Sequence, residues 1–209
     1  SAESNDTFFH NDKAQYFKYS IAEYSKIEPL FKGVDYVFHL AAESRIQPTL
    51  ERPQDACVTN FVGTCNVLQA SRTHNVKRLM YSSTSSGYGL KNEIPLKEDM
   101  DRNCLNPYAV TKVAAEDLAR MYYTLWDLPT VTFRYFNIYG EREPTKGQYA
   151  PVVGLFLRQL RNNEALTIVG DGEQRRDFTN VADVVQANML AMESDNDKVL
   201  GEVFNVGTG

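Results

Sequence analysis

The alternation of strand-like and helix-like segments constrains the fold of this 209-residue chain more than any other feature. Short apolar runs predict buried strands, and segments with apolar residues at helical spacing separate them. The predicted strands are 34–40, 78–83, 130–135, 166–169 and 203–206, and the predicted helices are 61–74, 108–125, 152–161 and 181–192. Strands that are joined by helices run parallel and are covered on both faces. The sequence therefore predicts an α/β fold with a doubly wound parallel sheet.

Ligands of such sheets bind beyond the carboxyl ends of the strands. Ala41 and Ala42 follow the first predicted strand, Thr84 follows the second, and Asn137 follows the third. Because parallel strands end at the same edge, we expect these residues to lie along one edge of the sheet. We therefore expect the functional site there.

Tyr108 and Lys112 are four residues apart in a predicted helix, so their side chains share one face. A phenol is a poor base at neutral pH because its pKa is about 10. A nearby ammonium favours the phenolate and lowers that pKa. The hydroxyl of Thr84, at the end of a strand, can orient a substrate hydroxyl beside the phenol. The three residues together predict a proton-transfer unit.

Composition excludes several classes of partner. The net charge of −5 provides no basic surface for nucleic acid or an anionic membrane. No apolar run approaches the roughly 20 residues that span a bilayer. Cys57, Cys65 and Cys104 have no metal-binding spacing, so we expect reduced thiols, no metal site and a cytoplasmic protein.

Six segments carry a resemblance to a known family. They are FHLAA at 38–42, NFVGT at 60–64, SSTSSGYG at 82–89, PYAVTK at 107–112, RYFNIYG at 134–140 and GDGEQRRDF at 170–178. In order and spacing they resemble the extended short-chain dehydrogenase/reductase family, and within it the NAD-dependent nucleotide-sugar epimerases of the UDP-glucose 4-epimerase type. The resemblance covers residues 14 to 209. It implies a Rossmann-type sheet with a small interleaved substrate-binding part, and NAD as the cofactor.

The resemblance implies a role for each part of the catalytic unit. Tyr108 would be the acid and base. Lys112 would depress the Tyr108 pKa and hold the nicotinamide ribose. Thr84 would orient the reacting hydroxyl.

The resemblance also implies which residues bind cofactor and substrate. Cofactor binding would involve Ile21, Leu40, Ala41, Ala42, Asn60, Ser82, Ser83, Tyr108, Lys112 and Tyr135. Substrate binding would involve Thr84, Ser85, Ser86, Asn137 and Arg176. Ser20 stands where the family usually has Asp beside the adenine-packing position.

Three of these assignments have structural alternatives. Thr84 could end its strand and cap the following turn. Asn137 could stabilise its own loop through a side-chain hydrogen bond. Arg176 could be a surface residue paired with Glu173 or Asp177.

The residues after Thr84 bear on the type of reaction. Dehydratases of the family usually carry Asp-Glu there and decarboxylases Ser-Glu, whereas this chain has Ser85 and Ser86. The resemblance therefore favours epimerisation of a nucleotide sugar, with dehydration or decarboxylation as the alternative. A non-catalytic NAD-binding protein is a further alternative, and the intact Tyr108 and Lys112 argue against it.

The expected organisation has three parts. Residues 1–134 would form the NAD-binding part, 135–180 a substrate-binding segment, and 181–209 the returning helix and strand. The first third lacks a glycine-rich turn, so we expect an opening strand–helix–strand unit and a C-terminal part to be missing, and weak cofactor binding or inactivity of this piece alone. By resemblance, helices around 60–74 and 108–126 would form a homodimer interface.

Overall fold

The computed structural model of the chain describes residues 11–144 and 150–208. Its strands are β1 (Tyr36–His39), β2 (Arg78–Thr84), β3 (Thr130–Tyr135), β4 (Asn137–Tyr139), β5 (Phe178–Asn180) and β6 (Val203–Val206). The main sheet has the order β1-β2-β3-β6, and every neighbouring pair is parallel. This confirms the predicted α/β class with a parallel sheet.

Seven α-helices connect or flank these strands in the described residues. They are α1 (Tyr24–Ile27), α2 (Ile46–Glu51), α3 (Pro53–Ala56), α4 (Gly63–Thr73), α5 (Pro107–Trp126), α6 (Val152–Arg161) and α7 (Val181–Glu193). A π-helix, Cys57–Val62, joins α3 to α4. Single 3₁₀ turns lie at Glu28–Phe31, Ser85–Tyr88 and Asp197–Val199. None of the described helices is long and apolar enough to cross a membrane.

The core has two layers because successive side chains of a strand point to opposite faces of the sheet. On one face, Leu79 and Tyr81 of β2 pack with residues of α4 and α5. On the other face, Met80 of β2 packs with Phe133 of β3 and Ala191 of α7. The sheet is therefore covered by helices on both sides, as the prediction of a doubly wound sheet requires.

Helix α5 carries the predicted catalytic pair, and its ends are defined by the sequence. The Asn106 side chain accepts a hydrogen bond of 2.9 Å from the backbone N–H of Ala109, and Pro107 occupies the first helical position. The helix ends at Trp126, and the next residue, Asp127, has a left-handed φ of 54°. Tyr108 therefore lies in the first turn of α5.

Two predicted elements differ in the structure. Residues 166–169 are not a strand, because the Gln159 side chain bonds the backbone N–H and the hydroxyl of Thr167, at 3.1 Å and 2.7 Å, in place of a neighbouring strand. The predicted helix 61–74 also begins further along the chain than the helical backbone that the structure shows. Helical backbone starts at Pro53, a favoured first residue, and continues through the π-helix into α4.

A second, two-stranded sheet was not predicted. Strand β4 pairs in parallel with β5, with Asn137 opposite Phe178. The side chain of Asn137 donates a 2.9 Å hydrogen bond to the carbonyl of Asp177. Asp177 in turn accepts hydrogen bonds from the backbone and hydroxyl of Thr208, beyond β6. These contacts connect the small sheet to the carboxyl edge of the main sheet.

A buried ion pair links α5 to the main sheet. Glu116 of α5 and Arg134 of β3 are almost fully buried, and their closest N–O distance is 2.8 Å. Ser83 of β2 donates a further hydrogen bond to the Glu116 carboxylate. Arg134 also donates to the hydroxyl of Tyr88, at 2.8 Å. Because both charged groups are removed from water, loss of either one would leave the other buried without a counter-charge and would destabilise the folded protein.

We expect Glu116→Gln to lower the free energy of unfolding by about 3 kcal/mol, because it leaves the Arg134 charge buried without its counter-charge. Urea unfolding measures this. Asp117→Asn is the matched control, since Asp117 pairs with Arg102 at the surface with 63% of its side chain exposed. The control should change stability by less than about 1 kcal/mol. Equal effects of the two substitutions would contradict the assignment.

Candidate active site

Thr84 and Tyr108 meet at the carboxyl edge of the main sheet. Thr84 is the last residue of β2, and its side chain lies close enough to the Tyr108 phenol to influence the pKa of that group. The Thr84 hydroxyl also accepts a 3.1 Å hydrogen bond from the backbone N–H of Ser86, which starts the 3₁₀ turn. The capping role and the contact with Tyr108 therefore coexist in one hydroxyl group.

The Tyr108 phenol is largely withdrawn from water. Burial raises the Tyr108 pKa above its ordinary value of 10, and the neighbouring Thr84 side chain offsets part of this increase. The expectation that Lys112 depresses this pKa does not hold in this structure. There are two physical reasons. The Lys112 ammonium lies over the Tyr81 ring, 4.3 Å from its centroid, and the loss of hydration on burial is the largest contribution to the Tyr108 pKa.

Lys112 is itself buried, with only 2% of its surface exposed. Loss of hydration lowers the Lys112 pKa to about 7, and the negative charge of Glu116, one turn further along α5, partly opposes that change. Lys112 therefore changes its charge near neutral pH. A small change in the surroundings of a group with this pKa changes the fraction of the group that is charged at neutral pH.

We expect Lys112→Met to stabilise the protein at pH 6 by on the order of 3 kcal/mol, because it removes a charge that is costly to bury. The folded-state pKa of Lys112 lies below its unfolded value of 10.5, so the unfolded chain binds more protons between about pH 7 and pH 10.5. The stability of the parent chain thus rises through this window, and the advantage of the variant shrinks. Urea unfolding at pH 6 and pH 10 measures this, and a constant difference would contradict it.

Asn60 lies beneath the predicted cofactor residues. It is fully buried in the π-helix, and its side chain bonds the backbone N–H and carbonyl of Glu43 at 2.7 Å and 3.1 Å. It also donates to the Thr111 hydroxyl, at 3.0 Å. Asn60 therefore fastens the turn after β1 to α5. Leu40 and Ala41, in that turn, are exposed at the carboxyl end of β1.

The serines and tyrosine predicted to bind cofactor lie on different faces of the sheet. The Ser83 hydroxyl is directed at Glu116 of α5, and this hydrogen bond lies inside the protein. On the opposite face, Ser82 donates to the Tyr135 hydroxyl at 3.2 Å, and Asn188 of α7 donates to the same hydroxyl at 2.7 Å. Ser82 and Tyr135 are thus one polar cluster, and Ser83 belongs to another.

The remaining predicted residues lie further along the chain or the surface. Ser85 and Ser86 are half-buried in the turn after Thr84, beside the catalytic unit. Ile21 packs on the core cluster beside α4, and a Cβ atom at Gly63 would approach its side chain to 2.7 Å. Asn137 and Arg176 are exposed, and their hydrogen bonds go to loop carbonyls, those of Asp177 and Arg175 respectively.

Sequence reasoning missed Tyr81, Glu116 and Arg134. A signal for Glu116 was present, because it continues the four-residue spacing of Tyr108 and Lys112 along one face of α5. Arg134 also gave a signal, since a charged residue in an apolar strand requires a buried partner. Tyr81 gave none, because an aromatic residue in a strand is ordinary core.

Comparison with known proteins identifies the family. The family model described as "NAD dependent epimerase/dehydratase family" matches residues 1–207. The chain belongs to the NAD-dependent epimerase/dehydratase family. The sequence had predicted this resemblance, together with NAD as the cofactor of the family.

Three relatives of this family illustrate the range of reactions. A putative UDP-glucose 4-epimerase of Methanocaldococcus jannaschii is 33% identical over 95% of the chain and 64% of that protein. A UDP-N-acetyl-alpha-D-glucosaminuronate decarboxylase of Bacillus cytotoxicus is 39% identical over 90% of the chain and 59% of that protein. The crystal structure of the UDP-glucuronic acid 4-epimerase of Bacillus cereus, in complex with UDP-glucuronic acid and NAD, is 30% identical with a TM-score of 0.85, over 95% of the chain and 62% of that structure.

The chain therefore spans about three fifths of the length of these relatives. Their names include epimerases and a decarboxylase, so membership of the epimerase/dehydratase family leaves the reaction of this protein to be argued from its own residues.

Proposed function

We propose that the protein is an NAD-dependent nucleotide-sugar epimerase that inverts C4 of a UDP-hexose through a transient 4-keto sugar. The observation that carries the proposal is the approach of the Thr84 side chain to the Tyr108 phenol at the end of β2, with Lys112 one helical turn beyond. A hydroxyl, a phenol and an ammonium at the carboxyl edge of a parallel sheet are suited to reversible oxidation of a sugar hydroxyl.

The residues at this edge fit NAD. Leu40 and Ala41 offer exposed apolar surface at the carboxyl end of β1, and Asn60 holds the turn that carries them. Lys112 would hold the nicotinamide ribose. When bound, NAD supplies a hydride acceptor that returns the hydride within the same catalytic cycle.

The chain's own residues would manage the proton. Thr84 would orient the C4 hydroxyl of the sugar, and Tyr108, once ionised to the phenolate, would take the proton of that hydroxyl and later give it back. Burial keeps the Tyr108 pKa high in this structure, so the phenolate would form when the positive charge of the bound cofactor adds to that of Lys112 and lowers this pKa. Asn137 and Arg176 would bind the diphosphate or the nucleotide from the surface of the small sheet, where both are exposed.

The residues after Thr84 favour epimerisation over elimination or decarboxylation. Ser85 and Ser86 occupy the turn where the related dehydratases and decarboxylases usually carry a carboxylate. The 39% identity to a decarboxylase makes loss of carbon dioxide from a UDP-uronate the second candidate reaction. Incubation with UDP-glucose, UDP-galactose and UDP-glucuronate separates these candidates. Interconversion of the two hexoses supports the proposal, whereas release of carbon dioxide or an accumulated 4-keto product overturns it.

We expect Tyr108→Phe and Thr84→Val each to lower kcat for this interconversion by about 10²- to 10⁴-fold, because each removes a hydroxyl that acts on the transferred proton. A coupled assay of UDP-glucose formation measures this. Tyr123→Phe and Thr124→Val, near the far end of α5, make the same chemical changes away from the site and should leave kcat within about twofold. Full activity of Tyr108→Phe would exclude the phenol as the acid and base.

We also propose that the protein is a homodimer that pairs through 60–74 and 108–126. The support is apolar surface on these helices, including Phe61, Val62, Val110 and Leu125, whose exposed fractions are 38%, 46%, 51% and 62%. Contiguous exposed apolar residues on adjacent helices are typical of helix–helix interfaces.

We expect Leu125→Glu to raise the dimer dissociation constant by at least about tenfold, because it buries a charge in an apolar interface. Sedimentation velocity measures this over a range of concentrations. Leu90→Glu is the matched control, since Leu90 is 87% exposed in the loop before α5. A Leu125→Glu protein that dimerises like the parent would contradict the proposed interface.

A further inference from the structure

The ammonium group of Lys112 rests on an aromatic ring inside the protein. Its Nζ atom lies 4.3 Å from the centroid of the Tyr81 ring, and Tyr81 has no exposed surface. The Tyr81 hydroxyl donates a 3.1 Å hydrogen bond to the backbone carbonyl of Lys112. One side chain of β2 therefore contacts both the charged end and the backbone of the same lysine.

We propose that Tyr81 is a positioning residue for Lys112, whose ring face holds the ammonium and whose hydroxyl holds the helical turn that carries it. The inference rests on the proposed function, because Lys112 matters to catalysis through its charge beside Tyr108. Cations within about 6 Å of a tyrosine ring are attracted to its negative face, and more strongly when water is excluded.

The charges of the other groups around Lys112 determine how much its ammonium depends on the Tyr81 ring. Tyr108 and Glu116 flank it on α5, Tyr81 faces it from β2, and His39 lies nearby on β1, with its ring 5.6 Å from that of Tyr81. Burial, and then the charge of Lys112, lower the His39 pKa to about 3, so this imidazole is neutral.

The hydroxyl of Tyr81 is also neutral, because burial raises its pKa well above 10. Glu116 is the negative charge nearest in sequence on this helix face, and Arg134 of β3 already neutralises it. Glu116 still opposes part of the fall in the Lys112 pKa, and the π-face of Tyr81 is the group in direct contact with the ammonium that can offset more of the lost hydration.

Neighbouring residues fix the orientation of the Tyr81 ring. The Thr64 hydroxyl of α4 is hydrogen-bonded to Nε2 of His39 at 2.8 Å, and it lies close enough to the Tyr81 hydroxyl to lower the pKa of that group in part. Leu68 and Leu79 pack in the same core cluster as Tyr81. The ring therefore presents a fixed surface to Lys112, as a positioning role requires.

Fluorination of the ring tests the inference with only small changes in side-chain volume. Phenylalanine and its 4-fluoro, 3,5-difluoro and 3,4,5-trifluoro derivatives are introduced at position 81, since each fluorine withdraws density from the ring face. The Lys112 pKa is read from the ¹³Cε shift in lysine-labelled protein, without substrate, and the signal is assigned with Lys112→Arg. We expect the pKa to remain within about 0.3 units in Tyr81→Phe and to fall stepwise by about half a unit across the series.

Two leucine variants provide the matched comparison. Tyr81→Leu removes the ring and should lower the Lys112 pKa by about half a unit to one unit. Phe133→Leu removes a buried ring of β3 from the opposite face of the sheet and should leave it unchanged. If Tyr81→Leu does not fold, the fluorinated series decides the question. A pKa that is constant along that series, or that shifts equally in Phe133→Leu, overturns the inference.

Activity separates the inference from the proposed function. In an active epimerase, the alkaline limb of the kcat profile should move to lower pH in step with the Lys112 pKa along the series. A lower kcat with an unmoved alkaline limb means that Tyr81 is merely structural, and contradicts the inference. A Lys112 pKa that moves as expected in a protein without epimerase activity contradicts the proposed function and leaves the contact between Tyr81 and Lys112 established.

Discussion

The arrangement of the site depends on the buried ion pair between Glu116 and Arg134. Glu116 lies eight residues after Tyr108 and four after Lys112, so the three side chains share one face of α5. Once the carboxylate is fixed to Arg134 of β3 and Ser83 of β2, the rotation of the helix about its axis is fixed as well. Tyr108 then meets the end of β2, and Lys112 is directed into the space above Tyr81. A buried charge pair thus orients the helix whose first turn carries Tyr108.

This orientation of α5 buries the Lys112 ammonium, which costs hydration free energy. An ammonium packed against a sheet loses hydration, and its pKa falls to about 7 in consequence. The same burial raises the pKa of the Tyr108 phenol. Under the proposed function, a further positive charge, such as that of the oxidised nicotinamide ring, would lower the Tyr108 pKa and favour its phenolate. Burial of ionisable side chains in a binding site makes their protonation states sensitive to the charge of a bound ligand.

The sequence predicted the class of the sheet, four of its strands, and the positions of Thr84 at the end of a strand and of Tyr108 and Lys112 on one helix face. These features can be predicted because apolar periodicity and helix caps such as Asn106-Pro107 depend only on residues that are close in the sequence. Residues 166–169 were wrongly predicted as a strand because pairing depends on a neighbour that local sequence does not reveal. The direction of the Tyr108 pKa was also wrong, since a spacing shows which side chains share a face but not which is desolvated. Tyr81 could not be predicted as a contact of Lys112, because only the packing of β2 on α5 brings them together.

The central claim is that Tyr108, Thr84 and Lys112 support reversible oxidation at C4 of a nucleotide sugar. The most direct test is ¹H NMR of UDP-glucose conversion in D₂O. A hydride that leaves C4 and returns to the opposite face does not exchange with solvent, so we predict UDP-galactose that retains its C4 hydrogen, with no net reduction of NAD. Deuterium at C4 would indicate proton abstraction from carbon and would contradict the claim. So would a product other than the C4 epimer.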